Sequence, residues 1–220
     1  MAPKYDRTRI LAAATRARAR GRRRKAIALY RWVLAVEPGN VELHAKLAPL
    51  LARTKQPFDA WQSYCRAGRA YLDEGKIERA LAVYREAAGL LPRALEPWLA
   101  IAELEQERGR PKDAIRALLD GRTRLRGPRQ RAEAICLLRR VQAVEPWAFD
   151  VVLDLARLLG RSRQVHEARM LLQELATRSR GRELRRVRAA QWRLEPTLGH
   201  TWLWIRSLAG GTGSTRAARA

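Results

Sequence analysis

Glycine and proline divide this sequence into segments whose apolar residues recur at helical spacing. Between Trp61 and Pro92, two such segments meet at Gly75. On both sides of that glycine, apolar or small residues follow the pattern i, i+3, i+4, i+7, and no convincing run alternates β-branched or aromatic residues as a strand does. Helices of this kind bury their apolar stripes by packing on one another, so the sequence predicts an all-α fold.

The stretch from Trp61 to Pro92 resembles the tetratricopeptide repeat, a helical hairpin of about 34 residues. The residues that carry this resemblance occupy the aromatic, small and terminating positions of the repeat: Tyr64, Gly68, Tyr71, Ala80, Tyr84, Ala87 and Pro92. The resemblance implies a right-handed α-α superhelix, a solenoid of stacked hairpins. It weakens toward both ends of the chain, and Glu105 stands where the unit after this one would usually have an aromatic residue.

The prolines that follow helices show a longer period. Pro38, Pro92 and Pro146 are 54 residues apart, and Pro196 follows after 50. A unit of three helices is the simplest account of this spacing. We expect helices to begin near Glu42, Pro57, Glu96, Pro111, Asp150 and Val165, and to end near Pro92, Pro146 and Pro196. The expected domain is one repeat array over residues 1–209, with units at about 6–38, 39–92, 93–146 and 147–196, an end helix over 197–209 and a flexible tail over 210–220.

Residues suited to catalysis or to cofactor binding are scarce. The three histidines have no histidine or cysteine at metal-ligand spacing, and no phosphate-binding glycine-rich loop is present. Glu103, Glu105 and Glu107 share one predicted helix, where a solvated face is the simpler interpretation. We therefore expect no enzyme activity, no catalytic residue, no metal and no cofactor. Two widely separated cysteines and the lack of a long apolar run favour a cytoplasmic protein without a membrane span.

The resemblance also implies a concave groove lined by the first helix of each unit. Transferred to this chain, the groove positions are Gln62, Cys65, Arg69, Asp73, Glu96, Leu99, Glu103 and Glu107. Some members of the family bind chaperone C-termini through a clamp of lysine and asparagine, but Cys65 and Arg69 stand at such positions here, which disfavours that activity. The leading hypothesis is a non-catalytic scaffold or adaptor whose groove binds a peptide or helix of a protein partner.

The charge of the chain supports an alternative. The net charge is +23, and the first 36 residues contain eleven basic residues and one acid. Arginine forks suit phosphate, although codons rich in G and C would also enrich arginine. The alternative hypothesis is non-specific binding of nucleic acid or another polyanion through a basic patch, whose residues are Arg16, Arg20, Arg22, Arg23, Arg24, Lys25, Arg182, Arg185 and Arg186. The sequence identifies no partner and leaves self-association through the ends open.

Overall fold

The computed structural model describes residues 6–209, and these residues form helices and connecting turns without a strand. The helices are α1 Arg7–Ala19, α2 Arg23–Val36, α3 Val41–Arg53, α4 Pro57–Asp73, α5 Ile77–Leu90, α6 Glu96–Glu107, α7 Pro111–Arg124, α8 Arg131–Val144, α9 Phe149–Arg161, α10 Val165–Arg178, α11 Gly181–Leu194 and α12 Leu198–Ala209. The predicted all-α fold of tetratricopeptide-like hairpins is confirmed. The tail predicted over residues 210–220 lies outside the described residues.

Local sequence accounts for where many of these helices begin. Asp6 and Asn40 precede α1 and α3, and their side chains accept hydrogen bonds from the amides of Arg9 and Leu43, both at 3.1 Å. Such bonds satisfy amides that have no partner within the helix. At the start of α4, Pro57 occupies the first turn, where a missing N–H has no cost. The predicted helix starts therefore agree with the structure to within one residue.

Several of the hairpin turns each contain one residue with a left-handed backbone conformation. Gly75, between α4 and α5, has φ +70°, which glycine adopts without a steric cost. Lys55, between α3 and α4, and Arg163, between α9 and α10, have φ +61° and +63°. A Cβ atom makes this conformation costly, so packing of the two helices that each turn connects must offset the cost.

One expectation about helix interiors fails at Pro49, which lies inside α3. A proline there removes one hydrogen bond of the helix and its ring crowds the preceding turn. The helix nevertheless continues to Arg53, and the apolar residues on both sides of the proline, Leu47, Leu50 and Leu51, are buried. Packing of this face against the core therefore offsets the local cost.

The described helices fall into two compact units, with the division inside α7 between Ala117 and Leu118. In the first unit, α1 to α4 pack around small and aromatic side chains, among which Ala14, Ala48 and Ala60 are fully buried. A second cluster brings Leu81 and Tyr84 of α5 against apolar residues of α6. Alanine at the contact points lets neighbouring helices approach closely, and this positions the exposed faces of α4 and α6.

The second unit has its own core, formed mainly by α9, α10 and α11. Val152, Leu153, Leu172 and Val187 belong to it and are at most 1% exposed. At its C-terminal side, α12 packs on α11 through a stacked pair of indole rings, Trp192 and Trp204, whose centroids are 5.2 Å apart. The division of residues 1–209 into repeat units that the proline spacing suggested stays a prediction.

Candidate functional site

The predicted groove residues of α4 lie on one face of that helix. They are three or four residues apart, which places them in a line along the helix surface. Gln62, Arg69 and Asp73 are exposed, whereas Cys65 is half-buried. Gln62 also lines a cavity of about 310 Å³ among α2, α3 and α4.

The predicted groove residues of α6 likewise share one face. Glu96, Glu103 and Glu107 are exposed, and Leu99 is half-buried between the first two. This face therefore presents three carboxylates and one apolar side chain. Glu107 is the last residue of α6, as Asp73 is of α4.

Charged residues of both α4 and α6 shift the pKa values of Cys65 and Tyr84. Burial raises the pKa of the Cys65 thiol, while the charge of Arg69 lowers it and that of Glu96 raises it. Burial also raises the pKa of Tyr84 to about 12, with further contributions from Cys65 and Glu103 that raise it and from Arg69 that lowers it. Residues of α4 and α6 are thus close enough to act on the same buried groups.

These pKa shifts also limit the chemistry of the site. With a pKa above its usual value, the Cys65 thiol stays protonated at neutral pH, and only the thiolate is a good nucleophile. The Tyr84 phenol stays neutral as well. The arrangement is therefore suited to binding through charges and apolar contacts.

A tightly packed aromatic residue lies beneath this surface. Gly68 of α4 faces the ring of Tyr84 so closely that a Cβ atom on the glycine would lie 2.4 Å from Cζ of the tyrosine. Trp61 packs against the same ring, with the centroids 5.8 Å apart. Trp61 and Tyr84 therefore pack closely beside the predicted groove residues of α4.

Glu105 is buried, contrary to the interpretation of Glu103, Glu105 and Glu107 as one solvated face. It is 1% exposed and accepts hydrogen bonds from Arg85 at 2.7 Å and from Arg108 at 3.3 Å. Arg108 also pairs with Glu78. An acid at the usual aromatic position of the repeat was the sequence signal for this ion-pair cluster, which connects α5 to α6.

The N-terminal part of the basic patch surrounds the turn between α1 and α2, in the first unit. All six of its side chains are exposed. Arg16 reaches the carbonyl of Ala12 at 3.4 Å. None of the six forms an ion pair with a residue that the structure describes.

The C-terminal part of the basic patch lies on α11, in the second unit. Arg182 and Arg186 are exposed, whereas Arg185 is half-buried. Arg186 is also engaged, since it pairs with Asp150 at 2.7 Å and lies 4.9 Å above the ring of Phe149. These contacts could not be predicted from the sequence, because they join residues far apart in the chain.

The remaining candidates for metal binding in residues 6–209 are dispersed. His44 is buried, and its Nε2 lies 2.9 Å from the carbonyl oxygen of Pro38. Within the described residues, no three His, Cys, Asp or Glu side chains are grouped as metal ligands would be. None of the described helices combines the length and the apolar character needed to cross a bilayer.

Comparison with known proteins gives structural likenesses only. No family model matches the sequence, and no curated protein matches it. The fold is similar to that of PilF from Pseudomonas aeruginosa (19% identity, TM-score 0.42, 93% of this chain and 89% of that chain). It is also similar to PilW, a widely conserved type IV pilus biogenesis factor (17% identity, TM-score 0.40, 93% of this chain and 91% of that chain).

A third similar structure is a tetratricopeptide repeat protein from Parabacteroides merdae (13% identity, TM-score 0.31, 96% of this chain and 94% of that chain). At these scores the likenesses support no argument about activity or partner. The packing within this chain is evidence independent of these likenesses. Gly68 lies against Tyr84, so that the small residue of one helix contacts the aromatic residue of the next. The chain has a fold of the tetratricopeptide type.

Proposed function

We propose that the protein is a non-catalytic scaffold or adaptor that binds a segment of another protein on the surface formed by α4 and α6. The observation that carries this proposal is that Tyr84 lies in one apolar cluster with Ile101 and Leu104 of α6, against which Trp61, Tyr71 and Leu72 of α4 pack. Arg69 and Glu103, which belong to these two helices and have opposite charge, both act on the pKa of Tyr84. On this proposal, Arg69 and Glu103 border one shared surface above this closely packed cluster.

The dimensions of this surface suit an extended peptide. The stretch of α4 from Gln62 to Asp73 rises by about 16 Å at 1.5 Å per residue. An extended strand covers that length with about five residues at 3.3 Å each. Leu99 provides an apolar contact between the charged positions, and such contacts stabilise peptide binding in grooves.

The charges of the surface indicate the partner's chemistry. Arg69 is the one cation among the eight predicted groove residues, against the four carboxylates of Asp73, Glu96, Glu103 and Glu107. We expect a partner segment with basic residues toward α6 and one acid toward Arg69, since complementary charge governs specificity and association rate. A polyanion would be repelled here.

Affinity capture from lysate tests the proposal. The variant Arg69→Glu/Glu103→Arg reverses both charges and leaves the net charge unchanged. The control Arg93→Glu/Asp120→Arg makes the same exchange at two exposed positions outside the eight predicted groove residues. We expect a protein partner that resists nuclease to be captured by the unmodified chain and the control but not by the first variant, at equal helix content by circular dichroism. Equal capture by all three would contradict the proposal.

A second candidate function is polyanion binding through the N-terminal part of the basic patch. It is favoured by the six exposed cations there that pair with no described residue. Such clusters attract phosphate chains through counterion release. In the same capture experiment, loss of all retained material on nuclease treatment would favour this second function.

A further inference from the structure

A cavity in the second unit has an apolar floor and a basic rim. It has a volume of about 230 Å³ and lies among α9, α10 and α11. Ala156, Leu172 and Ala190 contribute buried apolar side chains, and all three are at most 4% exposed. Arg157, Arg161 and Arg193 also line it, and Gly160, Val165 and Leu194 complete the described lining.

The three rim arginines form no ion pair with the described acids around them. Nearby acids pair elsewhere: Asp154 with Arg122 at 2.8 Å, Asp150 with Arg186 at 2.7 Å, and Glu195 with Arg169. Within residues 6–209, Arg157, Arg161 and Arg193 form no ion pair. Three guanidinium groups therefore line one cavity without an ion-pair partner among the described residues.

Their proximity affects their ionisation. Burial lowers the pKa of Arg157, and the charges of Arg186, Arg193 and Arg161 lower it further, whereas Asp154 raises it. Arginine nevertheless remains protonated at neutral pH. The repulsion among these groups is relieved when an anion binds between them, and this relief favours an anionic ligand.

The cavity is shaped by close packing of α9 on α11. A Cβ atom on Gly160 would lie 2.6 Å from Cδ1 of Leu194, so the glycine permits this approach. Arg157 and Arg161 are one helical turn apart on α9, and Arg193 projects from α11. The rim thus presents charges from two helices around an apolar floor.

We propose that this cavity is a second binding site, for an acidic peptide segment that inserts one apolar side chain between the rim arginines. The floor offers room for about one large side chain, and arginine forks bind carboxylates on each side of it. A nucleic acid fits less well, because none of the described lining residues is aromatic and bases need such platforms.

Fluorescence anisotropy with the full chain tests this site. The probe is a labelled nine-residue peptide with one central leucine between two pairs of glutamates, blocked at both ends. The variant Arg161→Gln/Arg193→Gln removes two rim charges, and the control Arg124→Gln/Arg129→Gln removes two exposed charges of the same unit. We expect binding about tenfold weaker for the first variant and within about twofold for the control, because only the first removes direct partners of the peptide.

Two further probes separate the apolar and ionic parts of the site. Replacing the central leucine by glycine is expected to weaken binding several-fold, and replacing the glutamates by lysines to abolish it. The proposal is overturned if the acidic peptide does not bind at millimolar concentration, if both double variants weaken binding equally, or if single-stranded DNA competes for the rim arginines more strongly than the peptide does. Circular dichroism of each variant confirms that the comparison is made between folded chains.

Discussion

At the scale of single residues, the contact between Gly68 and Tyr84 determines how closely α4 and α5 pack. Glycine in the middle of a helix normally destabilises it relative to alanine. Here the tyrosine occupies the space that a side chain would fill, with three of its side-chain atoms within 2.6 Å of the position of a Cβ. The same hairpin contains Gly89, whose Cβ position is surrounded by open space.

We predict opposite effects of alanine at these two glycines. Gly68→Ala should lower the free energy of unfolding by about 1–3 kcal/mol through overpacking. Gly89→Ala should raise it by about 0.5–1 kcal/mol through helix propensity. Urea denaturation followed by circular dichroism measures both. Stabilisation by Gly68→Ala would show that the ring moves away without cost.

Tyr84 should also make stability depend on alkaline pH. Its folded pKa is about 12 against an unfolded value of 10.0. Below pH 10 both states hold the proton and stability is unaffected, but between pH 10 and 12 only the unfolded chain releases it. Unfolding is therefore favoured as pH rises, by up to about 3 kcal/mol at 1.36 kcal/mol per pKa unit.

Tyr84→Phe is the variant that tests this pH dependence. It should show a smaller decrease in stability between pH 10 and 12, measured as the urea midpoint at each pH. Tyr71→Phe, on the same hairpin and half-buried, is the control and should retain the full decrease. An unchanged profile for Tyr84→Phe would contradict the assigned burial of the phenol.

At the scale of helices, most boundaries could be predicted from the sequence. Pro57, Pro111 and Gly75 mark starts and turns through rules that act within a few residues. Glu105 could not be assigned in this way, because its burial depends on Arg85, twenty residues earlier in the chain. The resemblance to the repeat family suggested the residues of α4 and α6 that form the predicted groove. Their position relative to Tyr84 could not be predicted from the sequence.

The ion-pair cluster around Glu105 should stabilise the packing of α5 on α6. Replacing Glu105 by glutamine leaves Arg108, whose side chain is 14% exposed, with Glu78 as its remaining acidic partner. We expect the free energy of unfolding to fall by about 1–3 kcal/mol, the usual cost of an unmatched buried partner. Glu107→Gln, exposed on the same helix, should change stability by less than about 0.5 kcal/mol. Equal urea midpoints for the two variants would show that the glutamine amide oxygen replaces the carboxylate as the acceptor for Arg85 and Arg108 without loss of stability.

At the scale of the whole molecule, the net charge of +23 combines arginines with different roles. Some join helices that are not consecutive, as in the pair of Arg31 on α2 with Asp59 on α4 and that of Arg139 on α8 with Glu167 on α10. Exposed pairs of this kind each contribute about 0.2–1 kcal/mol. The composition could not separate these arginines from those around the α1–α2 turn, which have no described ion-pair partner, because pairing depends on the fold.

The difference between arginines that form ion pairs and those around the α1–α2 turn predicts which arginines control the salt dependence of any polyanion binding. Glutamine at Arg20, Arg22, Arg23 and Arg24 should make the slope of log K against log salt less negative on duplex DNA, by about 0.9 for each phosphate that is no longer neutralised. Anisotropy titrations between low and moderate salt measure the slope. The matched control places glutamine at four exposed arginines elsewhere, namely Arg93, Arg110, Arg124 and Arg129. If both variants change the slope equally, total charge governs the binding and the α1–α2 turn has no special role.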